Sequence, residues 1–262
     1  MFVRPTAPRS IGGVLDDAVR LYKESFRAWL WPSVVIALSS AVFGFAFAQL
    51  IGPTQSAAQL MNYYKSPAIW ICYLVFFIAY TWGHLSLLAA VRGVFTGGNP
   101  RAGESFATGL KLVPTGLLAG FLSFFGIFFG FMLLLIPGII LAGRWQFWGI
   151  SLVDRGGSGT DALGRSSRLV KGHWWRASTI VFVALVMVIA LSVLMSFLVA
   201  LPAFVSSARS VPVQVVIRII GAAVNTFILP AIPAAAVACY FDLQLRTEGS
   251  DLAARVGKLQ PA

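Results

Sequence analysis

Long, uninterrupted apolar runs constrain this chain more than any other feature of its sequence. Several of them exceed the roughly 18 residues that identify a membrane-crossing helix. Hydrophobic residues make up 58% of the chain and charged residues only 11%, whereas soluble domains contain about 25% charged residues. A water-facing globule with this composition would lack polar cover. The chain is therefore predicted to be a single all-α integral membrane domain, spanning residues 1–262.

The sequence predicts six transmembrane helices, arranged as three hairpins. The fourth begins after Ile136-Pro137-Gly138-Ile139, where proline disfavours helical geometry at the preceding residue and glycine permits a sharp reversal. It is short for a crossing, and Pro230 and Pro233 are expected to bend the sixth. The predicted spans cover about residues 32–51, 67–91, 114–135, 139–153, 175–201 and 213–241.

An amphipathic cytoplasmic helix is predicted immediately before each hairpin. The three helices cover residues 10–28, 103–112 and 160–172, and Thr160 is expected to cap the third. Their sequences align without gaps over ten positions. Two interpretations are open: a true threefold repeat of helix plus hairpin, or the pattern common to any helix at a membrane surface. The tail, residues 242–262, is polar and expected to be partly helical.

Lysine and arginine are strongly segregated along the chain. Five precede the first span, three lie in residues 92–111, five in residues 155–176 and three in the tail. The two remaining connections carry only Lys65 and Arg209. Because cytoplasmic loops carry the excess of basic residues, both termini are predicted to be cytoplasmic. Topology and anionic lipid explain the net charge of +11, so nucleic acid is not an expected partner.

The basic faces of the amphipathic helices are interpreted as a surface for anionic lipid. Each Lys or Arg near an anionic leaflet contributes about 1 kcal/mol of binding free energy. A docking surface for a cytoplasmic partner is the alternative. The predicted lipid-facing residues are Arg20, Lys23, Arg27, Arg165, Arg168, Lys171 and Arg176.

Two arginines lie inside predicted spans. Arg144 is in the fourth, where an arginine costs roughly 2.5 to 3.5 kcal/mol on insertion scales. It either contacts a headgroup, substrate or helix inside the bundle, or extends its side chain to the outer interface. Arg218 lies about one turn into the sixth span, where extension to the interface is the favoured interpretation.

The sixth span also suggests a broken helix. Pro230 and Pro233 free backbone carbonyls just after Asn225, and transporters use such carbonyls to build binding sites. A packing kink in an alanine-rich helix is the commoner explanation. In the second span, His84 either binds a headgroup or is a hydrogen-bonded structural histidine.

No catalytic, metal or cofactor site is predicted. Cys72 and Cys239 both lie in apolar runs without metal-ligand spacing, as is typical of inert buried thiols. An intramembrane hydrolase would require two or more of His84, Asp154 and Asp242 to converge with a nucleophile or metal, and their spacing matches no catalytic pattern.

The order of these features resembles the glycerophosphoryl diester phosphodiesterase membrane-domain family, a group of bacterial six-span proteins. The resemblance covers nearly the whole chain, but its motifs are structural rather than catalytic. In some relatives the membrane region precedes a soluble phosphodiesterase domain; the present 262 residues leave no room for one, so that activity is not expected. The matching segments are Asp17-Ala18-Val19-Arg20-Leu21-Tyr22, Leu135-Ile136-Pro137-Gly138-Ile139, Arg144-Trp145, Ala162-Leu163, Arg168-Leu169-Val170-Lys171-Gly172-His173-Trp174-Trp175-Arg176, Tyr240-Phe241-Asp242-Leu243-Gln244-Leu245-Arg246 and Glu248-Gly249.

The leading expectation is a non-enzymatic inner-membrane protein that binds anionic lipid and supports a lipid- or envelope-related process. The alternative is a transporter or channel for a small amphiphile or peptide, using Arg144 and the proline-broken sixth span. Membrane lipids are the expected partners. A second copy of the chain or an envelope protein are further alternatives.

Overall fold

The computed structural model describes residues 2–51, 63–205 and 211–257. Within this part of the chain all regular structure is helical, which confirms the all-α class. The helices are α1 (Ile11–Glu24), α2 (Phe26–Ile51), α3 (Pro67–Phe95), α4 (Ala102–Leu133), α5 (Leu135–Trp145), α6 (Trp148–Arg155), α7 (Gly159–Val170), α8 (Trp174–Val205), α9 (Val211–Ile228) and α10 (Ala231–Gly257). Arg209 and residues 258–262 of the predicted tail lie outside the described residues.

Five stretches of the described residues are long and apolar enough to cross a membrane, rather than the six predicted. These stretches account for α2, α3, α4, α8 and the junction of α9 with α10. The multispan membrane class is thus supported by length and composition. The difference from the prediction lies in the fourth span. The five stretches are Phe26–Phe47, Pro67–Phe95, Ala102–Leu133, Trp174–Val199 and Ile219–Thr247.

The prediction of one helix over residues 139–153 is wrong. Two short helices, α5 and α6, occupy this region and are separated at Gln146 and Phe147. A serine from α7 stabilises the break: Ser166 Oγ accepts from the Phe147 N–H at 3.1 Å and donates to the Arg144 carbonyl at 2.8 Å. These two hydrogen bonds replace the backbone hydrogen bonds that the Phe147 N–H and the Arg144 carbonyl would form in a continuous helix. Because Ser166 lies 19 residues after Phe147, the local sequence does not identify it as their partner.

The chain reverses at Leu134, just before the predicted turn. Leu134 has extended backbone angles, and α5 begins at the next residue, antiparallel to α4. Pro137 lies in the first turn of α5, where a helix does not need the N–H group that proline lacks. The Ile-Pro-Gly-Ile sequence therefore starts a helix instead of forming the turn itself.

The amphipathic segment 103–112 is not a separate helix, contrary to prediction. It forms the first third of α4, which continues through Pro114 without a break. Packing along α3 explains the continuity, because Gly109, Val113 and Gly116 are all buried against that helix. This contact compensates for the single hydrogen bond that Pro114 removes.

The other two amphipathic helices form near their predicted positions, with shifted ends. The first helix ends at Glu24, and α2 begins at Phe26, earlier than residue 32. Ser158, rather than Thr160, caps α7: its hydroxyl accepts from the Asp161 N–H, and the Asp161 carboxylate accepts from the Ser158 N–H. This reciprocal pair is a capping box.

The first half of α10 forms the centre of the bundle. The chain breaks between α9 and α10 at Leu229-Pro230, as the prolines predicted, and α10 then continues into the polar tail as far as Gly257. Helices α1, α3 and α8 all pack around α10. The apolar side of α1, including Val14 and Leu21, is buried against protein rather than lipid.

Candidate functional site

Asp242 on α10 is the centre of an ion network at one end of the bundle. Its side chain is 4% exposed and accepts hydrogen bonds from two guanidinium groups, Arg176 Nη2 at 3.0 Å and Arg246 Nε at 2.9 Å. The Arg9 N–H donates to its other oxygen at 2.8 Å, and both arginines also donate to the Arg9 carbonyl. This Asp242 network joins the N-terminal stretch, α8 and α10.

A second network is centred on Asp154, at the end of α6. Arg92, near the end of α3, donates to its carboxylate from Nε and Nη2, each at 2.9 Å. Two side chains of α10 complete the site: the Tyr240 hydroxyl donates at 3.2 Å and Gln244 Nε2 at 3.4 Å. The Asp154 network thus ties α3 and α6 to the same central helix.

The two networks establish which chain segments lie together. Both are built on α10 within two turns of one another, at Tyr240, Asp242 and Gln244. A membrane cannot lie between groups that are bonded directly to each other. The following segments therefore lie on the same side of the membrane as Asp242: the N-terminal stretch, the last turns of α3 and α6, and the first turn of α8. We call this the charged side of the molecule.

Helix α1 covers the charged side and the break after α9. Asp17 on its inner face is buried, and this burial raises the pKa of its carboxyl, although Arg9 Nε lies 3.7 Å away. The Tyr22 hydroxyl donates to the Phe227 carbonyl at 2.7 Å, just before the break. The break predicted from Pro230 therefore lies at the charged side and is closed by α1.

The polar side chains near the break are bonded within their own helix. Asn225 Nδ2 donates to the Gly221 carbonyl and the Thr226 hydroxyl to the Ala222 carbonyl, each at 3.0 Å. Arg218 lies on the same helix, α9, but its side chain is outside the described part of the structure. These contacts favour a packing kink over a polar binding site at Asn225, Pro230 and Pro233.

An apolar groove of about 570 Å³ runs between α2 and α9. This volume lies in the range of small-molecule sites. Neither Arg144 nor Pro230 lines the groove, so it does not join the two residues on which the transporter interpretation depends. Its lining consists of Val34, Ala37, Leu38, Ala41, Val42, Phe45, Ile219, Ala222, Ala223 and Thr226.

One face of α2 continues beyond the groove toward the charged side, and we call this continuation, with Arg27 and Trp31, the stripe. Arg27 and Trp31 precede Val34 and Leu38 at spacings of three or four residues, which places them on one face of α2. Both Arg27 and Trp31 are exposed, Trp31 by 58%. A cation, an interfacial tryptophan and an apolar groove therefore follow one another along a single helix face.

Arg144 lies in the last turn of α5 and is exposed. Its carbonyl is held by Ser166 of α7, while the Trp174 indole N–H donates to the carbonyl of Ile140, one turn earlier in α5. Arg144 therefore lies beside α7, and both sequence interpretations of its side chain stay predictions.

His84 does not converge with the acidic residues. It stacks on Tyr80 at 6.3 Å and faces Gly149 of α6, about 12 Å along α3 from Arg92 and its Asp154 partner. Asp154 and Asp242 are each held by arginines in separate networks. Among the described residues, no group of three His, Cys, Asp or Glu side chains could hold a metal ion.

The predicted anionic-lipid surface divides into two groups. Arg176 is a component of the Asp242 network, and Arg165 donates to Ser151 Oγ at 3.0 Å and to the Gly156 carbonyl, so both of these cations have partners within the protein. The partner of Arg176, Asp242, is buried and lies 66 residues away, so local sequence does not reveal this contact. The residues that the structure does leave exposed are Arg20, Lys23, Arg27, Arg168 and Lys171.

The sequence interpretation missed two features of this region. It treated Asp154 and Asp242 only as candidate catalytic groups, although both follow predicted spans that end beside basic segments. It also placed Arg27 on an amphipathic helix ending at residue 28. The spacing of Arg27, Trp31, Val34 and Leu38 could have identified the groove-facing side of α2, but not the partner helix α9.

Comparisons of the chain with protein-family models, curated proteins and solved structures found no match. The resemblance to the glycerophosphoryl diester phosphodiesterase membrane-domain family therefore stays a prediction.

Proposed function

We propose that this protein is a non-enzymatic bacterial inner-membrane protein that binds an anionic phospholipid and supports a lipid- or envelope-related process. Both termini would lie in the cytoplasm, because the charged side holds the Arg-rich segments. The groove between α2 and α9, together with its basic end, carries the proposal.

The groove suits one acyl chain. All of its lining side chains except Thr226 are apolar, and the hydroxyl of Thr226 is bonded to its own helix. From Val34 to Phe45 the groove extends about 17 Å along α2, comparable to a stretched acyl chain. Apolar contact along this length would hold the chain without any polar recognition.

The exposed end of the stripe suits an anionic headgroup. Arg27 lies about 10 Å along the helix from Val34, beyond the interfacial ring of Trp31. Its guanidinium can form a bidentate contact with phosphate oxygens. Lys23, near the end of α1, is also exposed and would add to the local positive potential.

Native mass spectrometry of the gently solubilised protein tests this assignment. We expect the wild type to retain an anionic phospholipid and Ala41→Trp, which fills the groove, to lose it. Ser40→Trp introduces the same ring at the neighbouring exposed position outside the groove and should retain the lipid. Equal retention by both variants would contradict a lipid site in the groove.

The headgroup contact is tested separately with Arg27→Gln. This variant should retain lipid but lose its preference for anionic over zwitterionic species, whereas Lys171→Gln, remote on α7, should keep it. An unchanged lipid profile in Arg27→Gln would remove Arg27 from the site.

A further inference from the structure

The hairpin between α4 and α5 has an unusually apolar, uncovered tip. Residues 131–136 are consecutive hydrophobic residues whose exposed fractions range from 44% to 78%. From residue 124 to residue 142 the sequence contains no polar side chain, no tryptophan and no tyrosine. The ends of membrane spans normally carry polar, tryptophan or tyrosine side chains at the level of the headgroups. The start of α3 has Tyr64, Lys65 and Trp70 in these positions.

Both legs of this hairpin are anchored to one polar helix, α7. The backbone of Gly159 abuts α4 so closely that a methyl group there would lie 2.9 Å from both the Thr115 carbonyl and the Ala119 nitrogen. The returning leg is held at the Arg144 carbonyl by Ser166, also on α7.

The exposed charges of α7 place it at the membrane surface. Asp161, Arg168 and Lys171 are all exposed, and hydrogen bonds from Ser158 lower the pKa of the Asp161 carboxyl. Ionised side chains are costly in the hydrocarbon region. The points where α7 meets α4 and α5 therefore lie at or outside the interface.

Neither leg is long enough to reach the opposite interface from that level. Beyond Ala119, α4 extends for residues 120–133, or about 21 Å at 1.5 Å per residue. The return from Leu135 to Arg144 is about 15 Å. The hydrocarbon core is about 30 Å thick, and a crossing needs about 20 residues.

The ion networks supply an independent constraint. Arg92, before α4, is bonded to Asp154, after α5, so the chain between them returns to the side from which it started. This segment must cross the membrane either twice or not at all. Five crossings, the number suggested by helix length and composition, are therefore excluded.

We propose that α4 and α5 form a re-entrant hairpin whose tip ends among the acyl chains of the bilayer, short of the opposite interface. The chain then crosses the membrane four times, through α2, α3, α8 and α9, instead of the six times predicted from the sequence. The partner of the exposed tip is lipid hydrocarbon.

Two features of the turn reduce the number of unpaired backbone groups, which are costly in hydrocarbon. The Leu134 N–H donates to the Gly130 carbonyl at 3.2 Å, and Pro137 has no N–H to satisfy. The legs also meet at two glycines: a methyl group on Gly130 would lie 3.0 Å from Gly138 Cα. This close backbone contact keeps the tip narrow.

Depth-dependent fluorescence quenching tests the proposal in reconstituted vesicles. Single cysteines would replace Leu134 at the tip, Lys65 on the opposite side and Ser158 beside α7, in a background with Cys72→Ala and Cys239→Ala. Each would carry an environment-sensitive fluorophore. The vesicles would contain phospholipids that are spin-labelled at the headgroup or near the end of the acyl chain.

We expect the acyl-chain label to quench the fluorophore at position 134 at least twofold more strongly than the headgroup label does. At positions 65 and 158 the headgroup label should be the stronger quencher. Quenching of Leu134 chiefly by the headgroup label would overturn the proposal and indicate a full crossing. The same cysteines give a second readout with a membrane-impermeant maleimide applied to either face. The cysteine at position 134 should not react with the maleimide from either face. Its labelling from the face at which the cysteine at position 65 reacts would likewise overturn the proposal.

Discussion

At the scale of single residues, two carboxylates connect helix ends that are far apart in the chain. Asp242 joins residues separated from it by up to 233 positions, and Asp154 joins α3, α6 and α10. Breaking a buried ion pair by removing one partner is costly because the remaining charges lose their compensation. These aspartates are therefore expected to be structural.

Asp242→Asn should lower the stability of the protein by about 3 kcal/mol, since two guanidinium groups would lose their only shared carboxylate in the Asp242 network. For a chain of this size that corresponds to a fall in Tm of roughly 6–12 °C in detergent, measured by differential scanning fluorimetry. The control is Asp16→Asn, an exposed position on α1, which should change Tm by less than about 2 °C. Equal Tm values for the two variants would contradict the assigned role.

At the scale of elements, close contact between α3 and α4 determines how the second amphipathic segment folds. Gly109 fits against Ser86, and this contact carries α4 past Pro114 as one helix. The sequence prediction began the third span at Pro114 and placed a separate helix before it. In the structure, packing against α3 continues the helix through Pro114. Packing against α10 likewise buries the apolar side of α1 within the protein.

Two glycines of α4 provide a matched test of this packing. A methyl group at Gly109 would lie within 2.8 Å of the Ser86 nitrogen, whereas one at Gly103 would meet nothing within 4 Å. Gly109→Ala should therefore destabilise the protein by about 1–3 kcal/mol through overpacking. Gly103→Ala should stabilise it by about 0.5–1 kcal/mol, because alanine favours the helix. Thermal unfolding of both variants distinguishes packing from helix propensity, and a stabilised Gly109→Ala would rule out the close contact.

At the scale of the whole molecule, one charged side gathers the N-terminal stretch and the ends of α3, α6 and α8 around α10. Arg4 also lies over Phe95 and Phe241, with its guanidinium carbon 5.9 and 5.2 Å from the ring centroids. In the proposed topology, the membrane-facing regions project from this side as two crossing pairs and one short hairpin. An apolar groove separates α2 from α9.

Short epitope tags at the two termini should be accessible from the same face of the membrane, because Arg9 bonds directly to Asp242. Antibody binding to right-side-out and inverted vesicles measures this. A tag inserted at Lys65 should show the opposite pattern. Termini accessible from different faces would show that the Asp242 network does not form in the membrane.

The sequence by itself determined the membrane class, most helix positions, the break at Pro230 and the gathering of basic segments. These properties follow from local quantities: apolar length, proline chemistry and charge count. The break at Phe147, the bonded states of Arg165 and Arg176 and the groove next to Arg27 were decided only by the tertiary structure. The break depends on Ser166, the bonded state of Arg176 on Asp242 and the groove on α9, and no local pattern records the proximity of these partners. Arg165 depends on the tertiary fold in another way, because its partners Ser151 and Gly156 belong to the preceding helix and loop.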